Sequence, residues 1–382
     1  MSLQVQKKLS TAAAIAGLLA SGCSGSQGST STVPAATMQM QSRLQSIRPA
    51  WKAKGDGILH QLKNQVVIGS TIDPVYGQLN PYGLDVAKST SGAFTKGDLA
   101  VCNFNDSYNV QGTGYTIVAL HPKPGSSPAL VAADATRLLG CDALTLTSND
   151  TIFAAAFAAN DNPVFSSSGT LITNLSGTPF NYPFGQIYAQ PMHGSPVVYE
   201  SNAGDGSIVR INIGGSYSSE VIATGFPVNG GQPGSILGPA GLQYDRNGDA
   251  LFVVDGQNNS VTKISGVSGL HAGCLTVESN GRQFGGRCRS HARVLYSGAP
   301  LNGPISSALL FNGGIVVGNT LDPNGQNLMI EINPGGHVLD VIDVDTGAAG
   351  SLFGMVATGD NAADTRLFFN DDNDNNLQVL ER

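Results

Sequence analysis

The chain has 382 residues, of which 12% are charged, with 49 glycines, 19 prolines and a formal net charge of −7. This turn-rich, weakly charged composition suits many short strands better than helices. A negative balance without a dense Lys/Arg cluster excludes a nucleic-acid footprint.

Lys7 and Lys8 precede an apolar run from Leu9 to Ala20, the shape of a secretory signal and too short to span a bilayer. The run ends Leu19-Ala20-Ser21-Gly22-Cys23. Small residues ahead of a cysteine resemble a bacterial lipobox, which implies cleavage and lipidation at Cys23. Ser24 behind it resembles the outer-membrane sorting class. One departure is that Ala20 stands three before the cysteine, where the family has Leu, and Leu19 lies one step earlier. The competing reading is an ordinary secretory signal with an incidental cysteine, giving a periplasmic protein. Residues 1–23 therefore read as the signal. Residues 24–64 read as a polar tether followed by a short helix, Met38 to Lys54, that contains Trp51 and is interrupted at Pro49.

With Cys23 given to lipid, four cysteines remain, and an even number in an exported chain reads as disulfides. Cys274 and Cys288 flank a hairpin turning at Asn280-Gly281, so they are expected to pair, which leaves Cys102 and Cys141 for a second bridge. No close Cys spacing with an accompanying His suggests a zinc site.

From Gln65 onward the chain is β-rich. The clearest stretch is residues 238–265, GPAGLQYDRNGDALFVVDGQNNSVTKIS. Its apolar runs at 241–244, 250–254 and 261–264 are separated by Asn247-Gly248 and by residues 255–259. Asn-Gly suits a turn with positive φ at both central residues, so this is a three-strand meander. Looser copies lie at 80–120, 141–172, 185–211, 303–332 and 354–380. In the second of these the strands are read at 141–146, 151–156 and 170–172, with 160–162 as a turn. Six copies at a spacing of roughly 45 to 65 residues predict a propeller or solenoid. Fourth strands are visible at 219–223, 293–296 and 337–342, but the last copy ends on its third. Val66-Val67-Ile68 is placed to supply the missing one. The expectation is all-β: a six-bladed β-propeller of four-stranded antiparallel blades over 65–382, closed by an N-terminal strand.

The 238–265 stretch resembles an NHL repeat: Pro239-Ala240-Gly241, an apolar strand, a Gly turn, an apolar strand ending in Val253-Val254-Asp255, an Asn, then a third strand. Residues 80–120 match less fully, through Pro81, Gly83 and Asn103, and the other copies loosely. The resemblance implies that first strands line a central channel. It also implies that the loops after second strands share one face, a rim of Asn103, Asp106, Asp161, Glu200, Asp205, Asp255, Asn259, Asn319 and Asp371. That rim is the expected ligand-binding surface. The plainer reading is turn chemistry, since Asn and Asp bond their own backbone in tight loops.

Asn370, Asp372 and Asp374 fall at positions 1, 3 and 5 of an EF-like loop, which raises a divalent cation such as Ca2+. Asn375 in place of Gly, and a strand after it, count against this. No serine lies in a Gly-x-Ser-x-Gly elbow, the six histidines form no HxH or HExxH pair, and no nucleotide-binding glycine motif is present. His193, in Met192-His193-Gly194, is the histidine most worth locating. The sequence thus reads as a monomeric cell-envelope propeller that binds or scaffolds, with no catalytic set. It would touch the membrane through its lipid anchor alone and take a small ligand or an envelope protein as partner. The competing reading is a metal-dependent, gluconolactonase-like hydrolase or lyase acting on a lactone or sugar-derived substrate.

Overall fold

A computed structural model describes residues 57–382. The signal, Cys23, the tether and the Met38–Lys54 helix lie outside the described residues.

The described chain forms a six-bladed β-propeller. Blade 1 is β2 (Leu79–Val86), β3 (Leu99–Asn105), β4 (Thr116–Leu120) and β5 (Ala129–Ala133). Blade 2 is β6 (Cys141–Leu146), β7 (Ile152–Ala156), β8 (Asp161–Phe165) and β9 (Leu171–Ser176). Blade 3 is β10 (Pro183–Ala189), β11 (Val197–Asn202), β12 (Ser207–Gly214) and β13 (Ser216–Thr224), extended by β17 (Leu275–Val277) and β18 (Phe284–Gly285). Blade 4 is β14 (Pro239–Asp245), β15 (Ala250–Asp255), β16 (Ser260–Ser265) and β19 (Ala292–Ser297). Blade 5 is β20 (Pro304–Leu309), β21 (Ile315–Asn319), β22 (Leu328–Ile332) and β23 (Val338–Asp343). Blade 6 is β24 (Met355–Thr358), β25 (Arg366–Asp371) and β26 (Asn376–Glu381), and its fourth strand is β1 (Asn64–Ser70).

The innermost strands touch in the cyclic order β2, β6, β10, β14, β20, β24 and back to β2. Closure comes from β1, antiparallel to β26 from Asn64↔Glu381 to Ser70↔Asn376, as the sequence predicted. Second strands are buried end to end in β3, β15 and β21. That is why they read as unbroken apolar runs rather than alternating ones. Apolar clusters fill the six blade-to-blade interfaces: Phe153 and Val198 between blades 2 and 3, for example, and Ile68, Val101 and Phe368 between blades 6 and 1.

Packing begins ahead of Gln65. A single helical turn, Leu59–Gln61, buries Ile58, Leu59 and Leu62 between blades 5 and 6. The carboxylate of Glu331 accepts from the amides of Ile58 (3.0 Å) and Leu59 (2.7 Å).

Both disulfides are present. Cys102–Cys141 ties the second strand of blade 1 to the first of blade 2, and Cys274–Cys288 closes the β17–β18 hairpin. Two local expectations are corrected. In blade 2 the third strand is Asp161–Phe165, and residues 170–172 belong to the fourth. The chain turns within 157–160, with Asn160 at φ 57°, and Pro163 sits inside a strand, which disguised it as loop. In blade 4 the turn takes its positive φ at Asp249 (41°), not at Asn247 and Gly248. Asp245 accepts from the Asn247 amide (3.0 Å) and sets up a four-residue loop. The β17–β18 hairpin does not stay with its own blade but pairs in parallel with β13, through Ala223↔Leu275 and Thr224↔Thr276.

Candidate functional site

Register places the same position of each blade at the channel mouth. Pro81, Cys141, Pro183, Pro239 and Pro304 pair with Asn103, Ala156, Asn202, Asp255 and Asn319, and in every case the ladder shifts immediately afterwards. The residue following each is Tyr82, Asp142, Phe184, Ala240 or Ile305. Phe353 completes the ring by stacking on Tyr82, with centroids 3.5 Å apart and planes 8° from parallel. Tyr82 also stacks on Phe104 at 4.2 Å, and Phe104 meets Phe157 edge-on at 5.9 Å. The mouth is therefore floored by aromatic and aliphatic side chains that form one buried cluster. Below it the channel holds a cavity of about 80 Å³.

Blade 2 alone puts a carboxyl in this ring. Asp142 is 5% exposed and its side chain makes no hydrogen bond among the described residues; Oδ2 is sealed from solvent. Burial pushes its pKa well above the ordinary carboxylate value.

Beside the mouth lies a larger cavity of about 380 Å³, walled by Phe157, Tyr182, Gly204, Gln232, Pro233 and Ile236. Tyr182 is the exposed aromatic of the wall at 41%, with its ring stacked on Phe157 (4.8 Å, 17°). Its backbone is left-handed at φ 51°, a conformation a bulky residue adopts only when its surroundings enforce it. Here the Tyr182 amide donates to Asn160 Oδ1 (2.6 Å), and its carbonyl accepts from the Ala203 amide (2.9 Å). Gly204 must lack a side chain, because a Cβ would sit 2.3 Å from Asn181 Oδ1 and 2.8 Å from Tyr182 Cδ2. The opposite wall is a loop that Asn229 holds shut. Asn229 Oδ1 accepts from the Gly231 and Leu237 amides (both 2.8 Å), and its Nδ2 donates to the Ser235 carbonyl (2.9 Å).

The expected rim residues do lie at blade edges, yet each serves its own turn or seam rather than one converging set. Asp106 accepts from the Tyr108 and Val110 amides, and Asp205 from Ser207. Asp161 accepts from Asn174 (2.8 Å). Asp255, fully buried and raised to about 6 by burial, accepts from both nitrogens of Asn258. Asn259 joins blade 4 to blade 5 by accepting from the Gly303 amide (2.7 Å). Asn319 donates to the Pro300 carbonyl (2.8 Å), and Asn103 to Thr116 (3.2 Å). Glu200 is buried between blades 2 and 3, where it accepts from Asn162 and from Gln186 (2.6 Å); burial raises it to about 8. Asp371, raised to about 8 by burial and then by the charges of Asp345 and Asp374, accepts from Gln378 (2.6 Å).

The EF-like triplet is dispersed. Asn370 points inward and donates to the Tyr82 (3.0 Å) and Gly83 (3.2 Å) carbonyls. Asp372 faces the Asn80 amide, and Asp374 is exposed. Among the described residues no group of three or more His, Cys, Asp and Glu side chains is arranged to hold a metal ion. His193 is exposed in the turn before β11. Ser235 sits in the loop over the large cavity, its hydroxyl bonded to Gln232.

No protein-family model matches the sequence, and no curated protein matches it. Among solved structures, a gluconolactonase from Xanthomonas campestris superposes with a TM-score of 0.57 at 12% identity, over 88% of this chain and 96% of that one. A virginiamycin B lyase from Staphylococcus aureus superposes with a TM-score of 0.50 at 13% identity, over 84% and 98%. At such identity the likeness is one of fold.

Proposed function

We propose that this chain is a binding propeller of the bacterial cell envelope, and that its rim face, beside the closed channel mouth, takes up a small neutral ligand with a flat apolar face. The observation that carries the reading is the cavity of about 380 Å³. Its size is that of a ligand pocket, and its walls offer two stacked rings, glycine backbone and one side-chain amide, with no titratable group other than the Tyr182 phenol. The strained backbone of Tyr182 supports the same reading, since such strain collects at ligand sites.

The test is equilibrium binding of N-phenyl-1-naphthylamine, a neutral fluorescent probe, to the wild-type protein and to Tyr182→Ala. One saturable site weakened about tenfold or more by the substitution is expected, since an aromatic contact in a desolvated pocket carries at least that much binding energy. Absence of saturable binding, or equal binding by the variant, refutes it.

The export address and the two disulfides support placement outside the cytoplasm, and Cys23 supports lipid anchoring. Cys23→Ser is expected to move the protein from the membrane to the soluble fraction; retention on the membrane would remove the anchor from the proposal. A second reading, a metal-dependent hydrolase or lyase acting on a lactone or sugar-derived substrate, draws support from the fold of the gluconolactonase and the lyase. Its weakness is that Glu200 and Asp255, the acids it would use, are committed to neighbouring amides inside the blades. A stoichiometric divalent ion retained through dialysis would favour it.

A further inference from the structure

Asp142 breaks the pattern of the ring it belongs to. Its equivalents are Tyr82, Phe184, Ala240, Ile305 and Phe353, members of one apolar cluster or packed against it. An aliphatic or aromatic residue at position 142 would fit the same place. The carboxyl instead sits 5% exposed, with no hydrogen bond among the described residues and with Oδ2 closed off from solvent. A buried polar group without a partner costs stability outright, and one that breaks a local rule without local compensation is where function is to be sought. Asp142 lines the channel cavity of about 80 Å³ together with Tyr82, Phe184 and Phe353.

We infer that Asp142 and the surrounding aromatic ring form a recognition site for a small primary ammonium group at the channel mouth. The site is separate from the large rim-face cavity and does not depend on its reading. Three features select this ligand over the alternatives. A cation supplies the hydrogen-bond donors that the carboxyl lacks and a counter-charge that favours its ionised form. The π-systems of Phe184 and Phe353 favour a cation beside them and disfavour a bare anion. A metal ion would need several oxygen ligands at once, and no group of three or more His, Cys, Asp and Glu side chains is arranged to hold one among the described residues. An ammonium group needs only the carboxylate and the ring faces. The size agrees as well: a cavity that would hold several waters, each needing about 10–15 Å³, also takes an alkylammonium head.

The experiment uses methylammonium chloride as the probe, with sodium chloride at matched ionic strength, on the wild-type protein, Asp142→Asn and Asp142→Leu. Calorimetric titration and thermal melting are both read. The expected result is saturable methylammonium binding and a raised melting temperature in the wild type alone. Binding should fall by about tenfold or more in both variants, as loss of a charge-assisted contact requires. Without ligand, both variants should melt at or above the wild-type temperature, because each removes an unpartnered carboxyl. The inference is overturned if the wild type shows no saturable binding, if the variants respond as it does, or if sodium chloride has the same effect. It is equally overturned if both variants melt below the wild type without ligand, since the carboxyl would then serve the fold. None of these outcomes depends on Tyr182, so failure here leaves the rim-face reading standing.

Discussion

Replacing Glu200 by Gln should stabilise the protein, and the gain should depend on pH. The carboxyl lies between β11 of blade 3 and β8 of blade 2, fully buried, with Oε2 accepting two amide N–H groups and Oε1 unpartnered. Burial raises its pKa from 4.5 to about 8, and the two hydrogen bonds offset only part of that. The folded state therefore holds a proton that the unfolded chain has released between those two values, so stability falls as pH rises through this window. The shift costs about 1 kcal/mol at pH 5 and about 4 kcal/mol at pH 8, a difference of about 3 kcal/mol. Gln keeps the shape and an accepting oxygen. It also brings an N–H donor to a buried site where the side-chain oxygens of Asn162 and Gln186 have no partner. Urea unfolding of wild type and Glu200→Gln at the two pH values measures this directly. A variant less stable than wild type by the same amount at both would refute the argument, since Glu200 would then be ionised in the fold and stabilised there.

Other expectations follow from the same geometry. Reduction of Cys102–Cys141, which closes a span of 39 residues across two blades, should lower global stability by about 4 kcal/mol in the loop-entropy account, read as a urea midpoint with and without reductant. Cys274→Ser with Cys288→Ser should instead loosen the β17–β18 hairpin locally, visible as faster amide exchange there and little change in the blade cores. Ile68→Asp places a charge in the sealed interface of blades 6 and 1 and should prevent ring closure, seen as loss of the wild-type elution peak in size exclusion. Gly204→Ala should push Tyr182 off Phe157 and abolish probe binding in the large cavity, with the global midpoint moving by about 1–3 kcal/mol or less.

The propeller was legible because its second strands are buried on both faces, so Ala250–Asp255 and Leu99–Asn105 stand out as apolar runs at a steady spacing. The closing strand was legible because the last copy ended one strand short. What escaped depends on partners distant in sequence. Asp161–Phe165 hid behind Asn-Asp-Asn and Pro163, whose local signals favour a turn, and tertiary pairing with β9 overrides them. The docking of β17 on β13 leaves no local trace. Glu200 looked like a rim residue because it closes an apolar run, yet side-chain alternation turns it into the blade interface. Asp142 did have a signal: aligning the residue after Cys141 with those after Pro81, Pro183, Pro239 and Pro304 sets it against Tyr, Phe, Ala and Ile. Tyr182 had none, since its importance lies in a backbone angle and a neighbouring loop.

The β1–β26 pairing also bears on the order of assembly and on self-association. Asn64 and Glu381 are 317 positions apart (381 − 64), and bringing such ends together costs about 5 kcal/mol of chain entropy beyond a constant. Every other blade can pair from neighbouring segments as it forms, whereas blade 6 must wait for a strand that precedes them all. Until then β26 is a bare edge and β1 an unattached strand of matching register. Two copies in that state carry the same complementary pair, so β1 of one has the geometry to complete the ring of the other, an exchange that becomes more frequent as refolding concentration rises. A dimer formed that way would leave each ring intact and differ from the monomer only in the path of residues 71–78.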